Sequence, residues 1–144
     1  DRVSTGTTAN SNIEQDIIKI SQGGDKFSIL MDLMENPNFE KVIIFEETKR
    51  LVDRLNKKLT QAGIRSGLIH GDKSQNFRTK AINQFKKGDI RVLVATDVAA
   101  RGIDIDDVSL VINYQLPMTM DSYVHRIGRT GRAGKTGVAY TFID

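Results

Sequence analysis

Apolar residues along the chain follow two different spacings. Six short segments are rich in β-branched and aromatic residues, as β-strands are: IEQDIIKI, KVIIF, SGLIH, RVLVAT, VSLVINY and GVAYTFI. KVIIF and RVLVA are apolar at almost every position, which is typical of parallel strands that helices cover on both faces. The pattern therefore predicts a buried, parallel sheet.

Amphipathic segments fill the gaps between these strands, and their lengths suit right-handed crossovers. The predicted helices span residues 26–35, 48–62, 74–87 and 120–127. Start and stop signals support them: Asp25, Thr48 and Ser74 are predicted N-caps, and Gly63 and Gly88 are predicted stops. The fold class that follows is α/β, an open, mainly parallel sheet with helices on both faces.

The chain length of 144 residues fits one domain, and 39% apolar residues are enough for one core. Residues 1–12 are small and polar, so we expect a linker or flexible arm there, followed by the domain at 13–144. No apolar run approaches the roughly 20 residues that a bilayer span needs. We therefore expect a soluble, intracellular protein without a membrane partner.

Composition excludes several classes of site. Without cysteine, the chain has no disulfide, no thiolate zinc site and no cysteine nucleophile. Its two histidines, His70 and His125, lack a metal-ligand spacing, so no metal site is expected. The net charge is only +3, so an anion would have to bind at a local cluster.

Ligands of such sheets bind beyond the carboxyl ends of the strands, which directs attention to four segments: FEET, HGDKS, ATDVAARGID and HRIGRTGRAG. In ATDVAARGID, Thr96 and Asp97 could cap a turn or serve a ligand, and Gly102 permits close approach of a backbone. In HGDKSQNFR, the start of a helix suits a phosphate that Arg78 could reach, although an ordinary capped helix with a solvated arginine explains the same spacing.

HRIGRTGRAG concentrates positive charge more than any other segment. Arg126, Arg129 and Arg132 follow one another at intervals of three, so a helix would bring them close enough to repel. Clustered guanidiniums become favourable around an anion with several oxygens, such as a phosphate. The competing interpretation is a solvated run of charge. No GxxxxGK[ST] phosphate loop accompanies the cluster, so this chain cannot hold a triphosphate and magnesium by itself.

Four segments, VIIFEETKR, HGDKSQNFR, ATDVAARGID and HRIGRTGRAG, resemble in their order and spacing the C-terminal RecA-like domain of DEAD-box ATP-dependent RNA helicases. The resemblance covers residues 13–144. FEETKR further resembles the branch related to Vasa and the p68-type helicases.

The resemblance implies a role for each matching residue. Arg129 and Arg132 would act as arginine fingers on the γ-phosphate of ATP. Five further residues would lie on the nucleotide side of the site: Gly102, Asp104, Arg126, His125 and Asp97. Three would contact the RNA backbone: Thr96, Gly71 and Arg78.

The same resemblance implies the cofactors and partners. ATP and Mg²⁺ would be held mainly by an N-terminal RecA-like domain that this chain does not contain. RNA would be bound through sugar and phosphate with little sequence preference, and regulatory proteins are further expected partners.

Two positions depart from the family pattern. Glu46 stands where a small or apolar residue is usual, and Gln115 stands where aspartate is common. Neither touches the arginine motif. Two rival functions stay open at this point: a DNA-directed helicase or remodeller of the same superfamily, and a module that binds RNA or protein without hydrolysis.

Overall fold

The computed structural model describes residues 13–21, 24–101, 105, 108–130 and 137–144, and the predicted arm at 1–12 lies outside them. The strands are β1 (Ile13–Lys19), β2 (Val42–Phe45), β3 (Ser66–Ile69), β4 (Val92–Ala95), β5 (Leu110–Asn113) and β6 (Gly137–Ile143). The helices are α1 (Lys26–Met34), α2 (Lys49–Gln61), α3 (Gln75–Lys87), α4 (Asp97–Ala100) and α5 (Met120–Ile127).

All of these strands form one sheet, in the order β1-β6-β5-β2-β4-β3. Every pairing between neighbours is parallel, so the predicted open α/β sheet is confirmed. The carboxyl ends of β2, β4 and β5 lie side by side, because Phe45 is in register with both Ala95 and Asn113. The loops that follow these strands therefore share one edge of the sheet.

Alternation along the central strands divides the core into two layers. In β2, Val42 and Ile44 face the layer that contains α1 and α2, whereas Ile43 and Phe45 face the layer that contains α3, α4 and α5. Both faces are buried, as the nearly continuous apolar sequence of β2 predicted. No helix in the described ranges is long and apolar enough to cross a bilayer.

The predicted helix signals are confirmed by the backbone. Asp25, Thr48 and Ser74 each accept a backbone N–H at the start of a helix. Gly63 and Gly88 follow α2 and α3 with a φ of +87°, in the left-handed region that glycine adopts most readily. The short helix α4 was not predicted, because a single turn is too short to show an apolar period.

The two positions that depart from the family pattern meet in the structure. Gln115 Nε2 donates a hydrogen bond to Glu46 Oε1, although the residues are far apart in sequence. Glu46 is buried, and this burial raises the pKa of its carboxyl to about 7, against the opposing effects of the Gln115 bond and of Lys26. An aspartate at position 115 would place a second carboxylate against Glu46, so Gln115 suits its neighbour.

The raised pKa of Glu46 predicts an unusual pH dependence of stability. The folded carboxyl keeps its proton up to about pH 7, whereas the unfolded one releases it near the ordinary glutamate pKa of 4.5. Folding therefore takes up a proton in this window, and the free energy of unfolding should fall by roughly 2 to 3 kcal/mol as the pH rises from 4.5 to 8.

Urea unfolding at both pH values measures this fall. Glu46→Gln should lose most of the dependence and be the more stable protein at pH 8. The exposed Glu40 provides the control, since Glu40→Gln should keep the wild-type profile. Identical profiles for Glu46→Gln and wild type would contradict the assignment.

Candidate functional site

The loop after β4 begins with a cap and a one-turn helix. The Thr96 side chain accepts the backbone N–H of Ala99 and is 8% exposed, so the capping interpretation of this residue is confirmed. Asp97 opens α4 with its carboxylate at the positive end of the turn. The cap fixes Thr96 and so places Asp97 at the carboxyl edge of the sheet.

Arg126, near the end of α5, is held by three hydrogen bonds. Its Nε and Nη2 donate to the two carboxylate oxygens of Asp97, at 2.6 and 2.8 Å, in a planar fork. Its Nη1 donates to Asn113 Oδ1 at 3.1 Å, and Asn113 Nδ2 donates in turn to Thr141 Oγ1. One guanidinium therefore joins α5, α4 and the end of β5.

Arg126 is 2% exposed, which contradicts the interpretation of HRIGRTGRAG as a run of solvated charge at this residue. The Arg126 Cζ atom also lies 5.1 Å from the centre of the Phe45 ring, which adds a cation–π contact. A buried charge is tolerated only when it is paired and hydrogen-bonded, and Asp97, Asn113 and Phe45 supply those contacts. The predicted repulsion within the cluster is relieved by turning Arg126 inward.

Arg129, just beyond the end of α5, points to the same short helix. Its Nη2 donates to the Ala100 carbonyl at 2.9 Å, and its Nη1 donates to the Ile105 carbonyl at 3.4 Å. The following residue, Thr130, is fully buried and bonds to the carbonyl of Val108. Hydrogen bonds from both Arg129 and Thr130 to backbone carbonyls therefore fix this segment.

A cleft of about 360 Å³ opens between α4 and α5. Among the described residues, the lining is basic and suits an anion, because it contains four cationic or potentially cationic side chains and one carboxylate. The lining residues are Phe45, Asp97, Ala100, Arg101, Ser122, Val124, His125, Arg126, Gly128 and Arg129. The volume of the cleft is at the lower end of the range for sites that bind small molecules.

His125 contributes to this cleft from an exposed position. Its side chain is 62% exposed, and Nε2 lies 3.9 Å from Asp121 Oδ1, one turn earlier in α5. This partner is loosely placed, so the His125 side chain is free to reorient toward an anion in the cleft. Its position differs from that of Arg126, although the two are adjacent in sequence.

The predicted RNA side of the site is also connected to α4. Arg78 Nη2 donates to the Ala99 carbonyl at 2.8 Å, and Arg78 is half-buried, which contradicts the interpretation of a fully solvated arginine. Its Nε is buried without a hydrogen-bond partner in the described part of the chain. Gly71 lies at the same edge, since Ile69 is in register with Ala95.

Gly71 is open to solvent and is required neither by backbone conformation nor by internal packing. Its φ is not positive, and a Cβ added there would meet nothing within 4 Å. The absence of a side chain therefore leaves free space over the backbone of this turn.

His70, which precedes Gly71, has a structural role. It is 2% exposed, its Nε2 lies 2.9 Å from Asp53 Oδ1, and its Nδ1 accepts the backbone N–H of Asp72. The proton therefore belongs on Nε2, which donates to Asp53. Within the described residues, no group of three His, Asp or Glu side chains is arranged to hold a metal ion.

Three predicted site residues, Gly102, Asp104 and Arg132, lie outside the described residues. Five of the others lie around α4: Thr96, Asp97, Arg126, Arg129 and Arg78. His125 lines the cleft beside them. Gly71 shares the edge of the sheet without a direct bond to this group.

Sequence reasoning missed the two residues that contact Arg126 from the central strands, Asn113 and Phe45. Asn113 is fully buried at the end of β5, and its side chain bonds to Arg126. A polar residue that ends an otherwise apolar strand was the available signal. Phe45 carried no signal, because a buried phenylalanine in a central strand is ordinary core.

Comparisons with known proteins identify the family of the chain. Residues 25–134 match the family described as "Helicase conserved C-terminal domain". The ATP-dependent RNA helicase DbpA of Bacillus subtilis is 49% identical over 132 residues, which is 92% of this chain and 27% of that protein. The DEAD-box ATP-dependent RNA helicase CshA of the same organism is 51% identical, again over 92% of this chain and 27% of that protein.

The chain thus spans about a quarter of the length of these curated relatives. Among solved structures, the E. coli DEAD-box protein SrmB bound to RraA is similar with a TM-score of 0.86 and 40% identity. That match covers 91% of this chain and 77% of the SrmB chain. This chain therefore belongs to the helicase conserved C-terminal domain family, in the form that DEAD-box proteins carry.

Proposed function

We propose that this chain is the C-terminal half of an ATP-dependent DEAD-box RNA helicase, which completes the site for ATP hydrolysis and forms half of the RNA surface. The observation that carries the proposal is the basic cleft at the carboxyl edge of the sheet, with Arg129 on its rim. Family membership gives this cleft its chemical interpretation, because helicases of this class hydrolyse ATP between two RecA-like domains.

The chain supplies only part of the catalytic machinery in this proposal. It has no phosphate loop, so ATP and Mg²⁺ would be held mainly by an N-terminal RecA-like domain. When bound there, Mg²⁺ would neutralise charge on the phosphates. This chain on its own should therefore hydrolyse no ATP.

Arg129 would reach the γ-phosphate when the two domains close. Its bonds to the Ala100 and Ile105 carbonyls hold the guanidinium at the rim of the cleft, where charge developing in the transition state could be stabilised. Arg132 is proposed as a second finger, and Gly102 and Asp104 as neighbours of the ribose. These three assignments rest on the family resemblance alone.

Arg126 and Asp97 would act as positioning residues. The fork between them fixes the last turn of α5 against α4. Arg129 follows Arg126 by three residues, so the fork would also help to position Arg129. A buried guanidinium that is already bonded to Asp97 and Asn113 is suited to holding a neighbour in place. His125, exposed beside it, would face the partner domain.

The RNA surface would lie along the same edge, at Thr96, Gly71 and Arg78. The open space over Gly71 allows a sugar–phosphate backbone to approach, and Arg78 brings a guanidinium from α3 to α4. Such contacts read the backbone and carry little sequence preference. Domain closure on ATP would bend the bound strand, and a bent strand cannot stay in a duplex, so local strand separation would follow.

Two finer assignments belong to this proposal. The Vasa and p68-type branch rests on FEETKR alone, while the relatives described above are bacterial DbpA and CshA proteins, so this placement stays a prediction. Regulatory protein partners are expected by analogy, since SrmB is bound to RraA, and Dbp5 of S. cerevisiae to Nup159 and Gle1, in solved structures.

The arginine-finger role predicts a large loss of hydrolysis. We expect RNA-stimulated ATPase activity when this chain is fused to a matching N-terminal RecA-like domain, and none from the chain alone. In the fusion, Arg129→Ala should lower kcat by about 100-fold or more with little change in RNA affinity. The exposed Arg50 of α2 provides the control, since Arg50→Ala should leave kcat unchanged.

Thermal unfolding must accompany this measurement, because Arg129 also bonds to two carbonyls. If a folded Arg129→Ala fusion hydrolyses ATP at the wild-type rate, the cluster serves RNA or a protein partner instead. The binding-module interpretation would then replace the proposal.

The positioning role of Arg126 and Asp97 predicts strong energetic coupling between them. In a double-mutant cycle with Asp97→Ala and Arg126→Ala, urea unfolding should give a coupling of about 2 kcal/mol or more, because either single change leaves a poorly paired charge. The exposed pair Lys49 and Asp72, whose charged atoms lie 2.9 Å apart, should give a much weaker coupling, because solvent screens it. Equal coupling in the two pairs would be the contrary result.

Gly71 and Gly63 should respond in opposite ways to substitution. Gly71→Val adds a side chain to open space, so stability should change by less than about 0.5 kcal/mol, while the RNA concentration for half-maximal ATPase stimulation rises. In Gly63→Val, the valine must adopt the positive φ of this position, which should lower the free energy of unfolding by about 1 to 2 kcal/mol without affecting RNA affinity. Unfolding curves and RNA titrations of the fusion separate the two effects, and unaltered RNA affinity in Gly71→Val would argue against RNA at this turn.

A further inference from the structure

Phe77 is an aromatic side chain that the fold leaves in solvent. All six phenylalanines of the chain lie in the described residues, and Phe77, at 42%, is the one that is exposed. Four of the others are buried in the two layers of the core, and Phe27 is partly buried. The core therefore does not account for Phe77.

The position of Phe77 connects it to the proposed RNA surface. It lies in the first turn of α3, and its backbone N–H donates to the capping Ser74 Oγ at 3.1 Å, which fixes the turn. Gly71 stands just before this cap, and Arg78 directly follows Phe77. By the rise of an α-helix, Phe77 is only about 4.5 Å along the axis from Ser74.

A cation accompanies the ring. Lys73 Nζ lies 5.0 Å from the centre of the Phe77 ring, while the neighbouring acid Asp72 bonds to Lys49 Nζ at 2.9 Å. An exposed aromatic face beside a lysine is the combination that binds a single-stranded nucleic acid, with a base on the ring and a phosphate on the cation.

We propose that Phe77 is a stacking platform for one nucleobase of the RNA strand that passes Gly71, with Lys73 contacting the adjacent phosphate. The inference rests on the proposed function, and it adds a base contact to a surface otherwise assigned to sugar and phosphate. Stacking is tolerant of base identity, so the platform would raise affinity without adding sequence preference.

A tryptophan reporter tests the stacking directly. The chain contains no Trp, so Phe77→Trp would carry the single indole, and excitation at about 295 nm would avoid uridine absorption. Fluorescein-labelled oligouridine reports binding by anisotropy, while the indole reports stacking in a parallel titration with unlabelled RNA. Asn83→Trp, at an exposed position later in α3, is the matched control.

We expect oligouridine to quench Phe77→Trp and to leave Asn83→Trp unchanged. An abasic oligonucleotide of the same length, titrated to saturation, should quench neither. Equal quenching of Phe77→Trp by oligouridine and the abasic strand would overturn the inference, as would RNA binding without any quenching. Phe77 would then serve only the helix, through its contact with Lys73, or a protein partner.

The ATPase fusion gives a second readout. Phe77→Ala should raise the half-maximal concentration of oligouridine about fivefold or more, and Phe77→Tyr should restore the wild-type value. Neither variant should alter kcat or the response to the abasic strand. If Phe77→Ala has no effect while Gly71→Val weakens RNA, the platform is wrong and the proposed RNA surface stands. If oligouridine neither binds nor stimulates hydrolysis, the proposed function itself fails.

Discussion

The fork between Arg126 and Asp97 is the interaction on which the site depends. A guanidinium that is 2% exposed must be neutralised where it lies, and Asp97 does so from the one-turn helix after β4. Asn113 and the Phe45 ring complete its surroundings from two central strands. The arginine motif is thereby fixed to the sheet at a buried charge, and His125 and Arg129 are left to face the cleft.

Much of the fold was predictable, because the physics that shapes it is local. Strands such as β2 and β4 are apolar at every position since both faces are covered, and Ser74 and Gly88 mark the limits of α3 with their own hydrogen-bonding and backbone preferences. The helix α4 was not predicted, because four residues are too few to show the apolar periodicity of a helix. Its existence depends on the Thr96 cap and on packing of Ala99 and Ala100.

The site was predictable in its composition and much less in its arrangement. Sequence spacing placed Arg126 and Arg129 in one cluster, but it could not show that Arg126 turns inward to Asp97 while Arg129 bonds to carbonyls. The same limit applies to Glu46 and Gln115, whose separate departures from the family pattern gave no indication that the two side chains meet. Contacts between residues distant in sequence are set by the order of strands in the sheet, which the pattern of each strand does not specify.

The short helix α4 ends in carbonyls that have no partner within the helix, as the last turn of any helix does. Arg78 takes the carbonyl of Ala99, and Arg129 takes that of Ala100. Two arginines that are 51 residues apart in the sequence, one proposed to contact RNA and the other ATP, thus donate to consecutive peptide carbonyls. A displacement of this single turn would move both carbonyls, and with them the hydrogen-bond partners of both guanidiniums.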